Sequence, residues 1–341
     1  MDDLTLQRIK LLKERVNRYS NDPTKIPPDE RRELSLMFAV VFKDFKDFCE
    51  IGMRFLGFGI TEMQMSIADY VQNGPKKRMV QAQRGEAKTT ITALYAVWRL
   101  IQDPTCRILI VSAGEDQSND IAVLIIRLIE QWSLMCWLRA DTSRGDRSSY
   151  EHYDVNRDLR RVEKSASVSS VGIKANLPGR RADLIIADDV ESITNSTTQV
   201  MRDDLLNRTK EFTAICTHGH ILYLGTPQTR ESVYKTLLSR GFDIRIWPGR
   251  YPEPDRLDRY LPGTLAPEIE EAIRKDPSLQ RGGGLDGTRG KPTDTGRYTE
   301  EDLQDKELDY GPEGFDLQYM LDTTLSDEAR TKIKLSDLMI A

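Results

Sequence analysis

A lysine and a threonine, Lys88 and Thr89, end the eight-residue stretch Ala-Gln-Arg-Gly-Glu-Ala-Lys-Thr that begins at Ala82. The spacing is that of G-x-x-x-x-G-K-[ST], in which backbone N–H groups cradle phosphates, the lysine reaches the terminal phosphates and the hydroxyl binds magnesium. Both outer glycines are replaced, by Ala82 and Ala87, so the loop alone is a weak match. The residues that we predict to contact a bound nucleotide in this loop are Gln83, Arg84, Gly85, Glu86, Ala87, Lys88 and Thr89.

A second set of candidate residues follows a short apolar strand about a hundred residues later. This strand ends in Asp188 and Asp189, and Glu191 comes two residues further on. Ligands of open α/β sheets bind at the carboxyl ends of the strands. We therefore expect Asp188 to bind magnesium together with Thr89, while a second carboxylate orients the attacking water. Glu191 is slightly favoured for that catalytic role, although it points the same way only if the strand continues to it, and Asp189 is the close alternative.

Further candidates lie near the same predicted strand ends. Arg84 lies inside the loop, and Arg180 with Arg181 precedes the acidic strand, so each could place positive charge on a transition-state phosphate. Arg180 and Arg181 could equally well be ordinary surface arginines. Thr226 ends another apolar strand and could sense a terminal phosphate. The amide of Gln64 offers both a donor and an acceptor, as the edge of adenine requires.

The predicted secondary structure places these motifs in a mostly parallel sheet with helices on both faces. A phosphate loop requires a strand before it and a helix after it, and the pattern around the loop has both. Broken alternation between residues 141 and 176 favours short hairpins. The predicted strands lie around 79–80, 106–112, 183–187, 221–224 and 243–246, and the predicted helices around 89–101, 116–132, 197–216 and 231–240.

The segments that flank this pattern define the predicted domains. Two amphipathic helices, over 4–19 and 29–50, are expected to form a small N-terminal lid subdomain, and four phenylalanines at helical spacing in the second are interpreted as core. Past Pro248 the chain is rich in Pro, Gly and charge, which is typical of a tether or flexible loop. The predicted boundaries are 1–58 for the lid, 59–250 for the core, 251–300 for the loop or linker and 301–341 for a short helical C-terminal segment.

The composition restricts the possible partners. The 341 residues include 49 Lys and Arg against 54 Asp and Glu, a formal charge of -5, so contact with DNA would need a local patch. Candidate backbone contacts, which could equally be solvated surface charges, are Lys76, Lys77, Arg78, Arg202, Arg208 and Lys210. Four cysteines without a C-x-x-C pair, and three histidines, give no metal-knuckle spacing. The absence of a long apolar run predicts a protein that does not contact a membrane.

Four segments in this order and spacing resemble the large terminase subunit of short-tailed bacteriophages. They are Gln64, the loop from Gln81 to Thr89, residues 181–191 and residues 223–229, and the resemblance extends over roughly residues 55–335. It implies an ATPase of the additional-strand, RecA-like type that uses ATP and Mg²⁺ to move double-stranded viral DNA into a procapsid. In that family a nuclease domain follows, and we expect this chain, which stops where that domain would begin, to lack a nuclease site.

The resemblance also assigns roles and partners. Gln64 would contact adenine, Arg84 would respond to the nucleotide, Thr226 would help to couple hydrolysis to movement, and Arg180 or Arg181 would complete the site of a neighbouring subunit. The implied partners are the portal protein, the procapsid, the small terminase subunit and further copies of the chain in a ring, expected to be a pentamer. Such a protein would work in the cytoplasm of the bacterial host and transiently at the portal.

Two other functions are compatible with the motifs. A helicase-like DNA translocase shares the loop and the acidic strand but needs a second RecA-like domain, which the element pattern does not contain. A nucleotide-binding module that docks on the portal without hydrolysing ATP remains open because of the altered glycines. The sequence also departs from the family at Ala87, where glycine is more usual, and at Asp189, where many relatives carry glutamate.

Overall fold

The computed structural model describes residues 3–227 and 232–323, which fold around one seven-stranded sheet. Six strands are parallel and short, as expected for strands buried on both faces, and only the edge strand β3 is antiparallel, to β4. The spatial order is β3-β4-β2-β5-β6-β1-β7. The strands are β1 (Lys77–Ala82), β2 (Ile108–Ser112), β3 (His152–Tyr153), β4 (Val168–Gly172), β5 (Leu184–Asp188), β6 (His220–Leu224) and β7 (Asp243–Trp247).

Strand β6 lies between the strand that enters the phosphate loop, β1, and the acidic strand, β5. It pairs with β1 through Met79 and Tyr223, and with β5 through Asp188 and Leu224. The inserted strand is the arrangement expected for an additional-strand, RecA-like core. Because all three strands are parallel, their carboxyl ends meet at one edge of the sheet, which brings the loop and the acidic residues together.

Helices cover both faces of the sheet. Arg78 of β1 donates to the Tyr95 hydroxyl of α5 at 3.0 Å on one face. The next residue, Met79, points to the opposite face, as does Tyr223, with which it is paired. On that face the Tyr223 ring packs on Phe212 of α8 and Tyr234 of α9. The helices are α1 (Asp3–Asn17), α2 (Pro28–Val41), α3 (Phe45–Phe55), α4 (Glu62–Asn73), α5 (Lys88–Gln102), α6 (Glu115–Gln131), α7 (Ile193–Ser196), α8 (Gln199–Ile215), α9 (Val233–Ser239), α10 (Pro267–Lys275) and α11 (Glu300–Gln318).

The five strands and four helices predicted for the core are all present. Two further short strands, β3 and β4, form within the segment for which hairpins were predicted, and only two pairs of residues link them. The rest of that segment consists of turns, one helical turn, Thr142–Arg144, and an isolated antiparallel bridge between Ser148 and Tyr153. The central strands could therefore be predicted from their continuous apolar runs, whereas the strands at the polar edge of the sheet could not.

The N-terminal region contains three helices rather than the two predicted. The predicted helix over 29–50 is interrupted, because the Asp44 side chain accepts a hydrogen bond from the Lys46 backbone N–H at 2.9 Å and begins α3 there. The four phenylalanines of this region are fully buried and belong to one hydrophobic cluster with the sheet, as the core interpretation required. They are Phe38, Phe42, Phe45 and Phe48.

The region 251–300 is not the flexible loop or tether that its composition predicted. It contains α10 and folds back on the core, and its start is fixed by Arg250, which is fully buried. The Arg250 guanidinium contacts Glu300 and Glu307 of α11, each at 2.7 Å. Ion pairs between the residue before this Pro- and Gly-rich segment and the helix after it therefore hold the segment in place, and composition cannot reveal such pairs. Helix α11 is itself kinked at Gly311, just before Pro312.

Within residues 3–227 and 232–323, no single helix has both the length and the apolar character needed to cross a bilayer. One bent pair, Glu115–Gln131 with Ser133–Arg144, meets the length and composition criteria jointly, with 99° between its halves.

Candidate nucleotide-binding site

The phosphate loop leaves β1 at Ala82 and enters α5 at Lys88. Ala82 is a buried strand residue, so the first altered glycine position needs no special backbone conformation. Gly85 has φ 85°, and Ala87, directly before α5, has φ 57° and ψ 25°. Both lie in the left-handed region that glycine adopts easily and other residues do not. The preference for glycine at position 87 in related loops therefore has a backbone cause, and this chain tolerates a strained alanine there.

Ala87→Gly is expected to stabilise the protein by about 1 kcal/mol, because the left-handed backbone clashes with a Cβ atom. Thermal unfolding measures the change. Ala214→Gly is the matched control: Ala214 is exposed in the last turn of α8, where the same substitution should destabilise the protein by about 0.5 kcal/mol. Equal losses in both variants would show that Ala87 is not strained.

Lys88 and Thr89 lie where the motif requires. The Lys88 Nζ atom donates to the carbonyl oxygens of Ala82 at 2.6 Å and Gln83 at 3.1 Å, so the ammonium lies over the loop. Thr89 Oγ1 donates to Asp188 Oδ2 at 3.2 Å. This contact joins the loop to the acidic strand through two side chains that are 99 residues apart in sequence.

Asp188 is suited to a divalent cation. Its side chain is buried, and burial together with the charge of Asp189 raises the pKa of its carboxyl to about 7. A cation here would remove that penalty, since an opposite charge favours the ionised form. Hydroxyl and carboxylate oxygens are also the ligands that Mg²⁺ prefers. Thr89 and Asp188 therefore fit the predicted magnesium site.

The structure distinguishes between the two candidates for the second carboxylate, and the slight preference for Glu191 does not fit its geometry. Glu191 is buried, and its Oε2 atom accepts hydrogen bonds from Ser232 Oγ at 2.6 Å and the Val233 N–H at 2.8 Å. This carboxylate is occupied at the start of α9. Strand β5 ends at Asp188, and Asp189 has φ 42°, so the chain turns before Glu191.

Asp189 is the carboxylate that faces the loop. It is exposed, and its charge acts on Lys88, opposing the fall in the lysine pKa that burial causes. Its Oδ1 atom accepts the Thr226 backbone N–H at 3.3 Å. Thr226 therefore lies beside the acidic strand end, where the sequence placed it, and a role in sensing the nucleotide stays a prediction. The adjacent Gly225 is required by space, because a Cβ there would lie 2.5 Å from the Tyr234 hydroxyl oxygen.

Gln64 is buried and forms part of a helix cap. Its Oε1 atom accepts the Thr61 N–H at 3.1 Å, and Thr61 Oγ1 accepts the Gln64 N–H at 3.2 Å, a reciprocal capping box that begins α4. It also lines a cavity of about 510 Å³ together with residues 58–63 and 293–297. The cap explains this glutamine without a ligand, and contact with adenine stays a prediction.

Glu86 is an unusual loop residue because it is fully buried. Its Oε2 atom accepts from Gln83 Nε2 at 2.8 Å, and its carboxyl lies within hydrogen-bond reach of that of Asp294. Burial, with the neighbouring Asp294, raises the pKa of Glu86 to about 7. Two carboxyls so placed hold a proton between them more readily than two negative charges.

This pKa shift predicts a pH dependence of stability. Between about pH 4.5 and 7 the folded state keeps a proton on Glu86 that the unfolded chain releases, so the free energy of unfolding falls as pH rises through this window. In Glu86→Gln this contribution disappears, so the stability of the variant relative to the wild type should rise with pH between about 4.5 and 7 and level off above. Melting temperatures across this range, with exposed Glu14→Gln as control, measure the difference. Parallel curves for wild type and Glu86→Gln would contradict the prediction.

The arginine candidates separate into two groups. Arg84 is exposed within the loop, where a charge can reach a bound phosphate. Arg180 and Arg181 precede β5, at the amino end of the sheet, whereas the phosphate loop lies at the carboxyl end. A five-residue strand separates the two edges by roughly 15 Å. These two arginines therefore do not belong to the site of their own chain, and action on a neighbouring chain stays a prediction.

The predicted DNA-contact residues on strand β1 and helix α8 are engaged within the protein. Arg78 is fully buried and donates to the Pro75 carbonyl oxygen at 2.8 Å. The prediction that it is a surface contact is therefore wrong. Arg202, Arg208 and Lys210 each contact a neighbour on α8 at 2.8–2.9 Å. Burial excludes Arg78 as a contact, whereas a role in DNA contact stays a prediction for Arg202, Arg208 and Lys210.

The two remaining candidates, Lys76 and Lys77, also have partners in the fold. The Lys76 Nζ atom donates to the His218 carbonyl oxygen at 3.1 Å, and the Lys77 Nζ atom lies 5.6 Å from the centre of the Phe242 ring. Lys76 is nevertheless exposed, so its ammonium can still reach a phosphate. A role in DNA contact stays a prediction for this pair.

Residues that no sequence motif singles out also contact the loop. Tyr298 Oη donates to the Arg84 carbonyl oxygen, and Arg297 Nε donates to that of Gly85, each at 3.0 Å. The Arg84 N–H donates to the Gln318 carbonyl oxygen at 3.1 Å. These residues are more than two hundred positions from the loop and follow no motif, so only the folded chain reveals them.

The fold is that of an additional-strand P-loop NTPase. Three features define it: a lysine-bearing loop between a strand and a helix, a second strand that ends in acidic residues, and a third strand inserted between those two strands. No family model matches the chain. Over 312 residues it is 36% identical to the large terminase subunit of Enterobacteria phage T3, a match that covers 90% of this chain and 51% of that protein. The chain is a homologue of phage large terminase subunits, and it spans about half the length of this curated relative.

Two solved structures are similar to the chain at lower identity. The ATPase domain of the Thermus phage P74-26 large terminase is 14% identical with a TM-score of 0.43, over 80% of this chain and 97% of that one. The large terminase of bacteriophage HK97 is 10% identical with a TM-score of 0.37, over 63% of this chain and 47% of that one.

Proposed function

We propose that this chain is the ATP-hydrolysing motor part of a phage terminase that moves double-stranded DNA into a procapsid. The observation that carries the proposal is the contact between Thr89 and Asp188, which joins the phosphate loop to the acidic strand end at one site. The homology to a large terminase subunit supports packaging as the use of that site.

The residues divide the chemistry between them. Lys88 binds the terminal phosphates, where the N-terminus of α5 and the backbone N–H groups also favour negative charge. Asp189 accepts a proton from the attacking water and orients it, the role that phosphoryl transfer requires of a carboxylate. Arg84 offsets charge on the transferred phosphoryl group. Thr226, whose backbone N–H is bonded to Asp189, links hydrolysis to the turn after β6.

Thr89 and Asp188 would hold magnesium. When bound, the ion neutralises charge on the phosphates and so lowers the barrier to their transfer. The chain's own contribution is to hold both oxygen ligands in position before the nucleotide arrives, through the Thr89–Asp188 hydrogen bond. Such preorganisation avoids reorganising the site during the reaction.

The proposed partners follow from the resemblance to the terminase family. They are double-stranded DNA bound without sequence preference, the portal protein, the procapsid, the small terminase subunit and further copies of the chain in a pentameric ring. The proposed location is the host cytoplasm and, during packaging, the portal. Arg180 and Arg181, remote from their own loop, are the proposed contributors to a neighbouring site.

Phosphate release from Mg–ATP, measured with and without double-stranded DNA over a range of salt, tests the proposal. We expect turnover that DNA increases, with the increase lost steeply as salt rises and unaffected by sequence, because backbone contacts release counterions. ATP binding without turnover at any DNA concentration would instead identify a non-hydrolysing module. Stimulation restricted to one sequence would contradict packaging.

A further inference from the structure

A loop that directs its backbone N–H groups toward phosphates turns the carbonyls of the same peptide units away from them. Those carbonyls need hydrogen-bond donors on the outer side. Here two donors come from one distant segment: the Tyr298 hydroxyl binds the Arg84 carbonyl and the Arg297 Nε binds the Gly85 carbonyl, each at 3.0 Å. We call residues 294–298 the strap. It covers the middle of the loop, where the loop has its single glycine.

The strap and the loop fit each other closely. A Cβ atom at Gly85 would lie 1.9 Å from the Tyr298 hydroxyl oxygen, so any larger residue at position 85 would displace this tyrosine. Gly85 thus meets two requirements, its positive φ and the approach of Tyr298. The Tyr298 ring is in turn supported edge-on by Tyr319, with the ring centroids 6.4 Å apart.

The other end of the strap is attached to the loop as well. Asp294 is buried, accepts hydrogen bonds from Thr61 Oγ1 and the Gly296 N–H, and has its carboxyl beside that of Glu86. Glu86 is itself a loop residue. The strap therefore contacts three consecutive loop residues: two through their carbonyls and one through its side chain.

The strap leads directly into α11. Thr299, the next residue, caps this helix through a reciprocal bond with Asp302, and Gln318 at its end accepts the Arg84 N–H. Glu300 and Glu307 fix the helix to Arg250 of the core. A movement of the loop on binding a nucleotide would consequently change hydrogen bonds at both ends of α11.

We propose that the strap positions the phosphate loop for nucleotide binding, with Tyr298 and Arg297 as positioning residues for the site assigned above. This inference rests on the proposed function in so far as the loop binds ATP. The strap fixes the outward carbonyls, which leaves the remaining N–H groups directed at the phosphates. Loss of a strap contact should weaken ground-state binding more than it slows the chemical step.

Tyr298→Phe tests the proposal, since it removes the donor and keeps the ring. Tyr150→Phe is the matched control, because Tyr150 is an exposed tyrosine of the polar segment before β3. Amide hydrogen exchange of Gln83, Arg84 and Glu86, whose N–H groups are bonded within the fold, should be faster without nucleotide in Tyr298→Phe by about 5- to 10-fold and unchanged in the control. The KM for ATP should rise by a similar factor, about 5- to 10-fold, while kcat stays within about twofold.

The two readouts separate this inference from the proposed function. Loop exchange that is equal in Tyr298→Phe and Tyr150→Phe would overturn the strap, whether or not ATP is hydrolysed. A wild type that releases no phosphate from ATP would overturn the proposed function, while faster loop exchange in Tyr298→Phe would still support the strap. A fall in kcat with an unchanged KM would also contradict positioning through ground-state binding.

Discussion

Lys88→Ala is expected to lower kcat/KM for ATP hydrolysis by on the order of a hundredfold or more. The loop places this lysine over its own carbonyls, at 2.6 and 3.1 Å, close to Asp188 and Asp189. When phosphates occupy the loop, the charge of Lys88 stabilises both the bound nucleotide and the transition state, so both kcat and KM should worsen. Steady-state phosphate release across ATP concentrations measures the effect.

A matched lysine controls for general effects of the substitution. Lys13 is exposed on α1, and Lys13→Ala should hydrolyse ATP like the wild type. Melting temperatures of both variants should stay close to that of the wild type, which would exclude unfolding as the cause. Undiminished turnover by Lys88→Ala would show that the loop is not a nucleotide site.

Asp189→Asn is expected to reduce kcat by on the order of a hundredfold or more and to leave ATP binding largely intact. The exposed carboxylate faces the loop, and amide replacement removes the group that accepts the proton of water without changing the size of the side chain. Glu191→Gln should behave differently. Its carboxylate accepts two buried hydrogen bonds at the start of α9, so the loss appears in stability, by roughly 1–3 kcal/mol, with kcat much less affected.

Comparing these two variants decides which carboxylate activates water. Single-turnover hydrolysis and nucleotide-binding titrations, run on both proteins at a temperature where each is folded, separate chemistry from stability. A hundredfold loss of kcat in Glu191→Gln, with Asp189→Asn nearly normal, would restore Glu191 as the base. It would also require the contacts of Glu191 with Ser232 and Val233 to break during turnover.

The sequence predicted the centre of the fold well because its strands are buried on both faces. Such strands are continuous apolar runs, and their order along the chain fixes which residues stand at the carboxyl edge. That reasoning placed Lys88, Thr89, Asp188 and Thr226 at one edge, and the structure brings them together there. The sequence could not show, for a local reason, that Glu191 turns away from this edge while Asp189 stays at it. The strand stops at Asp188, and the left-handed backbone at Asp189 turns the next residues toward α9.

The strap could not be predicted from local patterns. Its composition is that of a loop, and it is ordered by contacts with residues more than two hundred positions away, including the backbone of Gly85. Pattern and propensity describe neighbours in sequence, whereas these hydrogen bonds form only after the sheet has assembled. Ala87 differs from the strap, because the sequence alone shows that alanine replaces the usual glycine at this position. The strained φ of 57° at Ala87 then explains why glycine is preferred there.

A crystal structure of the chain with Mg²⁺ and a non-hydrolysable ATP analogue tests the central claim most directly. The account predicts the terminal phosphate beside Lys88, the metal beside Thr89 and Asp188, and Asp189 as the carboxylate nearest the terminal phosphate. Analogue bound elsewhere on the chain, or Glu191 turned from α9 to face the terminal phosphate in place of Asp189, would contradict it.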